Sequence, residues 1–104
     1  MYKGTICYET VKRLLNGEEC IVIGFGNSMM PRIKSGQAVK CSPVTNDTIL
    51  RKNDVVLSKV NGHLYLHKIS TISGNQYQIS NNHGHVNGWV SRKNIYGLVT
   101  SLLC

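Results

Sequence analysis

The side chain best placed by context to do covalent chemistry is Ser28, in the stretch Gly24-Phe25-Gly26-Asn27-Ser28-Met29-Met30-Pro31 that follows the apolar run Cys20-Ile21-Val22-Ile23. Glycines at 24 and 26 permit a tight turn at the end of a strand. Such a turn can present a hydroxyl and leave main-chain N–H groups, those of Gly26, Asn27 and Met29, free to face an oxyanion. That is the chemistry of a serine nucleophile, although the same pattern also fits a serine that only serves a turn. His83 and His85 lie together in Asn81-Asn82-His83-Gly84-His85. They could hold a metal, but clustered histidines in a Gly/Asn loop read more simply as turn residues. The four cysteines, Cys7, Cys20, Cys41 and Cys104, include no C-x-x-C pair and no histidine at metal-finger spacing. Neither a zinc site nor a redox motif is indicated, free thiols are expected, and no metal or cofactor is implied.

The elements that must position Ser28 are mostly strands. Residues 5 to 16 place Ile6, Val11, Leu14 and Leu15 close to one face at helical spacing, and Asn16-Gly17 supplies a stop, so one short N-terminal helix is predicted. After Gly17 the pattern turns to short β runs: Cys20 to Ile23, Ala38 to Cys41, Asp54 to Val60, Leu64 to Ser70, Tyr77 to Ser80 and Ile95 to Thr100. Asn61-Gly62, between V-V-L-S-K-V and H-L-Y-L-H-K-I, is the clearest hairpin signal, because both residues tolerate the positive φ of a type I′ turn. The expected fold is mainly β, a small coiled sheet or partly open barrel with one helix at its start. At 104 residues, with no repeat, linker or low-complexity tract, the chain has room for a single domain spanning 1–104.

Gly26-x-Ser28-Met29-x-Pro31-x-x-x-x-Gly36 resembles the nucleophile box of the signal peptidase and LexA-like serine proteases, G-x-S-M-x-P-x-x-x-x-G-D, with Gln37 in place of the final acid. Lys52-Asn53-Asp54-Val55-Val56 is similar to that family's G-D-[IV]-V strand entry, and Ile95-Tyr96-Gly97-Leu98-Val99 to its closing I-x-G-x-[VA] strand. The resemblance runs from about Leu15 to Val99 and implies the catalytic-domain fold of those enzymes. It also implies that Ser28 attacks a peptide carbonyl and that His67, in Leu66-His67-Lys68-Ile69, is the general base, as in the histidine-type signal peptidases of archaea and eukaryotes. Strand alternation puts Tyr65, His67 and Ile69 on one face and Leu66 and Lys68 on the other, so His67 and Lys68 cannot both face Ser28. A histidine has a neutral form available near pH 7 to accept the serine proton, whereas a lysine would first have to be desolvated. The alternative is a surface histidine on a hairpin.

In the resembled family an acid orients the base, and none stands in the comparable stretch Ile79 to Gly88. Asn81 and Asn87 are the side chains placed to orient His67 instead, with weaker support for an imidazolium than a carboxylate gives. The substrate of such an enzyme is expected to be a protein or peptide, lying extended along Ile21 to Phe25 by strand addition.

Charge leaves a second reading open. Twelve Lys and Arg against five Asp and Glu give +7, which raises nucleic acid as a partner, but the basic residues are dispersed and never exceed two in a row. The alternative function is therefore a catalytically inactive member of the fold that binds protein or nucleic acid. No secretory signal and no apolar run of spanning length is evident, so a soluble, cytoplasmic protein with reduced cysteines is expected.

Overall fold

Asn61 and Gly62 adopt φ of 50° and 84° in the computed structural model of the protein, which describes residues 1–103. These are the positive values that a type I′ turn requires. They join β4 (Val55–Val60) to β5 (His63–Ser73) as an antiparallel hairpin with Val60 opposite His63 and Val56 opposite His67. The remaining strands are β1 (Tyr2–Thr5), β2 (Cys20–Ile23), β3 (Ala38–Pro43), β6 (Gln76–Ser80), β7 (Val86–Ser91) and β8 (Ile95–Leu102), with one helix, α1 (Tyr8–Leu15), and a 3-10 turn at Arg92–Asn94. The chain is mainly β, and the strands form one open eight-stranded sheet in the order β1-β2-β3-β8-β4-β5-β6-β7. Among the described residues, β1 and β2 form the one parallel pair. The sheet curls on itself, because a Cβ built on Gly88 of β7 would lie 3.0 Å from Val60 Cγ1 of β4.

Two strands depart from the sequence expectation. Tyr2–Thr5 is a strand rather than a lead into the helix: it pairs with Cys20–Ile23, and α1 starts only at Tyr8, after Cys7 in an extended conformation. Val86–Ser91 is a strand despite its Asn87 and Gly88. The ladder absorbs the irregularity as a bulge, with Ile79 opposite Gly88 and Ser80 opposite Val86, so Asn87 is the extra residue.

The core divides along β4, whose side chains alternate between two apolar clusters. Val55 and Leu57 join Leu66, Met29, Ile33 and the residues under α1, while Val56 and Val60 join Ile69, Ile79, Val90 and Ile95. A strand buried on both faces explains why V-V-L-S-K-V opens with three consecutive apolar residues instead of alternating apolar with polar. The helix is held close to the sheet: Thr10, fully buried, donates to the Thr5 carbonyl at 2.7 Å, and Leu14 lies over Gly97. A Cβ at Gly97 would meet Leu14 Cδ1 at 2.9 Å and Cys41 Cβ at 3.4 Å. Gly97→Ala should therefore destabilise the domain by about 1–3 kcal/mol through overpacking, read as a lower denaturant midpoint with an unchanged m-value.

Cys20 and Cys41 are buried free thiols facing each other across β2 and β3, and Cys7 is a half-buried one. Cys104 lies outside the described residues. No helix among them is long and apolar enough to cross a membrane.

Candidate active site

Ser28 stands at the end of β2, in a turn whose internal bonds follow from its sequence. The Asn27 carbonyl accepts the Met30 N–H at 3.1 Å, the Met29 carbonyl accepts that of Ile33 at 2.9 Å, and Met29 buries its side chain in the core. Upstream, Gly36 N–H donates to the Gly24 carbonyl at 2.8 Å, and Gly26 N–H donates to Ser35 Oγ at 2.9 Å. Gly26 has a φ of 112°, a conformation costly for any side chain, so its part is to turn the chain. Its N–H is already engaged by Ser35 and is not a free oxyanion donor, which corrects the sequence expectation. Met29 N–H has no partner among the described residues, and neither have the N–H groups of Asn27 and Ser28. The Ser28 N–H adds a free donor to the Asn27 and Met29 groups expected from sequence, since a serine singled out for its hydroxyl also carries a main-chain N–H in the same turn.

His67 comes from the middle of β5 and is 7% exposed. Its Nε2 lies 3.1 Å from Ser28 Oγ, across 39 residues of sequence, and its Nδ1 lies 2.7 Å from Asn87 Oδ1. Because a side-chain amide oxygen can only accept, Nδ1 carries the proton and Nε2 is left to accept from the serine hydroxyl. The Tyr65 ring, two residues earlier on the same face, stacks against the imidazole with centroids 4.9 Å apart and planes inclined by 26°. Burial pushes the His67 pKa below its ordinary 6.5; the Asn87 hydrogen bond opposes this, and the charge of His85 adds to it. Lys68 points to the other face, opposite Val55 and Ser80.

Of the two asparagines named from sequence, Asn87 reaches His67 and Asn81 does not. Asn81 Oδ1 instead accepts the N–H groups of His83 and His85 at 2.8 and 2.9 Å, folding the loop between β6 and β7. The bulge explains the difference: as the unpaired residue of β7, Asn87 can turn its side chain toward β5. His83 Nε2 lies 2.8 Å from the Asn27 carbonyl oxygen. Among the described residues no group of three or more His, Cys, Asp or Glu side chains is arranged to hold a metal ion.

The expected substrate strand also needs revision. From Cys20 to Ile23, β2 is bonded to β1 on one side and to β3 on the other, so it offers no open edge there. Past Ile23 the neighbour β1 has ended, and the main chain of Phe25 bonds to none of the described residues. Only this short segment remains open, beside a small pocket of about 40 Å³ lined by Ile6, Gly24, Ser28, Met29, Ile33 and Leu66 among others. The arrangement can deprotonate a serine, hold an extended chain beside it, and receive an oxyanion on main-chain N–H groups. Compared with protein-family models and with curated proteins, the chain matches none.

Proposed function

We propose that this protein is a serine endopeptidase of the signal peptidase and LexA-like type, cleaving a peptide bond in an extended protein segment with Ser28 as nucleophile and His67 as general base. The observation that carries this reading is the bonded series Ser28 Oγ, His67 Nε2, His67 Nδ1 and Asn87 Oδ1, with spacings of 3.1 and 2.7 Å. Ser28 Oγ attacks the carbonyl carbon as its proton passes to Nε2, and the carbonyl oxygen becomes an oxyanion facing the N–H groups of Ser28 and Met29. The imidazolium then gives that proton to the leaving amine. A water molecule, deprotonated by the same nitrogen, opens the acyl-enzyme.

The substrate pairs with the free main chain of Phe25 and places the residue before the scissile bond in the adjoining pocket. Ile6, Met29, Ile33 and Leu66 give the pocket most of its apolar lining, and Gly24 stands close to two of them: a Cβ there would sit 3.1 Å from Ile6 Cδ1 and 4.0 Å from Leu66 Cδ2. This supports a small apolar residue at that position. Gly24→Ala should lower kcat/KM for alanine at that position by about tenfold, mostly through KM, since one added methyl in such a pocket is worth about 1–3 kcal/mol. Steady-state kinetics on peptides differing only at that residue checks this.

Covalent labelling of Ser28 by a fluorophosphonate probe, located by peptide mass mapping and lost in Ser28→Ala, tests the assignment as a whole. The second reading, a non-catalytic binding member of the fold, draws on the missing carboxylate beside His67 and the charge of +7. It predicts no labelling.

A further inference from the structure

The turn that carries Ser28 has an uneven distribution of hydrogen bonds. All four carbonyls from Asn27 to Met30 are engaged: Asn27 by Met30 N–H and the His83 ring, Ser28 by Asn82 N–H at 2.8 Å, Met29 by Ile33 N–H, and Met30 by Asn82 Nδ2 at 3.3 Å. The N–H groups of Ser28 and Met29, in contrast, are unpaired among the described residues. Three of these bonds come from one place, Asn82 and His83 in the loop between β6 and β7, more than fifty positions away in sequence. That loop is braced in turn by Asn81, whose side chain takes two of its N–H groups.

Peptide planarity gives this pattern a consequence. The Asn27 carbonyl and the Ser28 N–H belong to one rigid plane, as do the Ser28 carbonyl and the Met29 N–H, so fixing each oxygen fixes the direction of the N–H across from it. Hydrogen bonds accepted by a peptide oxygen also polarise that unit and strengthen its N–H as a donor. We propose that the β6–β7 loop builds the oxyanion hole from behind, with Asn82 and His83 holding the two carbonyls whose peptide units donate to the oxyanion, and with His83 as a positioning residue. The inference rests on the protease reading for the oxyanion, but the clamp is a property of the folded chain.

The two histidines must then carry their protons on different nitrogens. His67 is protonated on Nδ1, toward Asn87, whereas His83 has to be protonated on Nε2 to donate to Asn27.

The test compares wild type, His83→Leu and His83→Gln, the last because a glutamine amide nitrogen falls near the position of imidazole Nε2. His83 is exposed, so neither change should unfold the domain. The rate of Ser28 labelling by a fluorophosphonate is expected to fall about tenfold in His83→Leu, short of the 10²–10³ seen when an oxyanion donor is lost outright. His83→Gln should recover most of that loss, and KM for a cleaved peptide should stay the same in all three. In parallel, ¹⁵N NMR should find the His83 proton on Nε2, with the Ser28 amide resonance displaced in His83→Leu but not in His83→Gln. Wild-type labelling in His83→Leu, or a His83 proton on Nδ1, overturns the clamp. If the wild type is not labelled at all while the amide and tautomer results hold, the clamp stands and the protease reading falls.

Discussion

Ser28→Ala and His67→Ala should each lower kcat on a cleaved peptide by about a thousandfold or more, while Lys68→Ala stays within about twofold of wild type. On the proposed mechanism Ser28 Oγ is the atom that becomes acylated, and among the described residues no other hydroxyl is hydrogen-bonded to the His67 ring. His67 is equally without a substitute at 3.1 Å from that oxygen, since its neighbour on the strand, Lys68, lies on the opposite face between Val55 and Ser80. The two losses should not add in the double variant, because nucleophile and base act as one unit. KM should change little in any of the three: His67 and Lys68 do not line the pocket beside Gly24, and Ser28→Ala removes only one oxygen from its edge. Single-turnover rates on one peptide, with circular dichroism to verify folding, check the set. An active His67→Ala would assign the proton transfer to another group.

Asn87→Asp should raise kcat several-fold and move the acid limb of the pH–rate profile upward, whereas Asn87→Ala should lower kcat by about ten- to a hundredfold. In the wild type, burial holds the His67 pKa below 6.5, so activity should rise with pH through a midpoint under that value and be level at neutrality. A carboxylate at position 87 would favour the imidazolium that forms in the transition state and, by the same interaction, raise the resting pKa. It would also remove an ambiguity, since a rotated amide can offer Nδ2–H to the ring and enforce the wrong tautomer, which a carboxylate cannot do. The depressed pKa carries a stability consequence of defined sign. The unfolded chain binds a proton at 6.5 and the folded one only lower, so stability is level above pH 6.5 and declines as the pH falls from there through the folded value. Kinetic profiles and thermal melts between pH 5 and 8 give the two readings independently.

How much of this was legible depended on whether the signal was local. The β4–β5 hairpin was, because Asn61 and Gly62 announce their own backbone conformation and β4 is apolar on both faces. The N-terminal strand was not: Tyr-Lys-Gly-Thr is too short to show a period, and it is a strand because β2 offers it an edge. Val86–Ser91 was hidden by its own bulge, which breaks the alternation at the residue that matters for His67. The serine turn could be read from its glycines, and strand alternation separated His67 from Lys68. Choosing Asn87 over Asn81 could not be read, since the choice depends on how β7 pairs with β6. Asn82 and His83 were indistinguishable from ordinary turn residues, because what they do is bond to main chain elsewhere. The same reason hid the engagement of Gly26 N–H by Ser35.

The position of β8 in the sheet has a consequence for the timing of activity. Strands β1 to β3 carry the serine turn and β4 to β7 carry His67 and Asn87, and in the sheet β8 alone stands between the two sets, bonded to β3 on one side and β4 on the other. A chain emerging from the ribosome completes both halves before it makes the strand that joins them. Until Ile95–Leu102 has been made and inserted, Ser28 and His67 belong to separate sheet fragments with no shared ladder. Such long-range closure makes for slow folding. On the proposed protease reading, the nascent chain would gain activity only once β8 had been made and had joined the two halves.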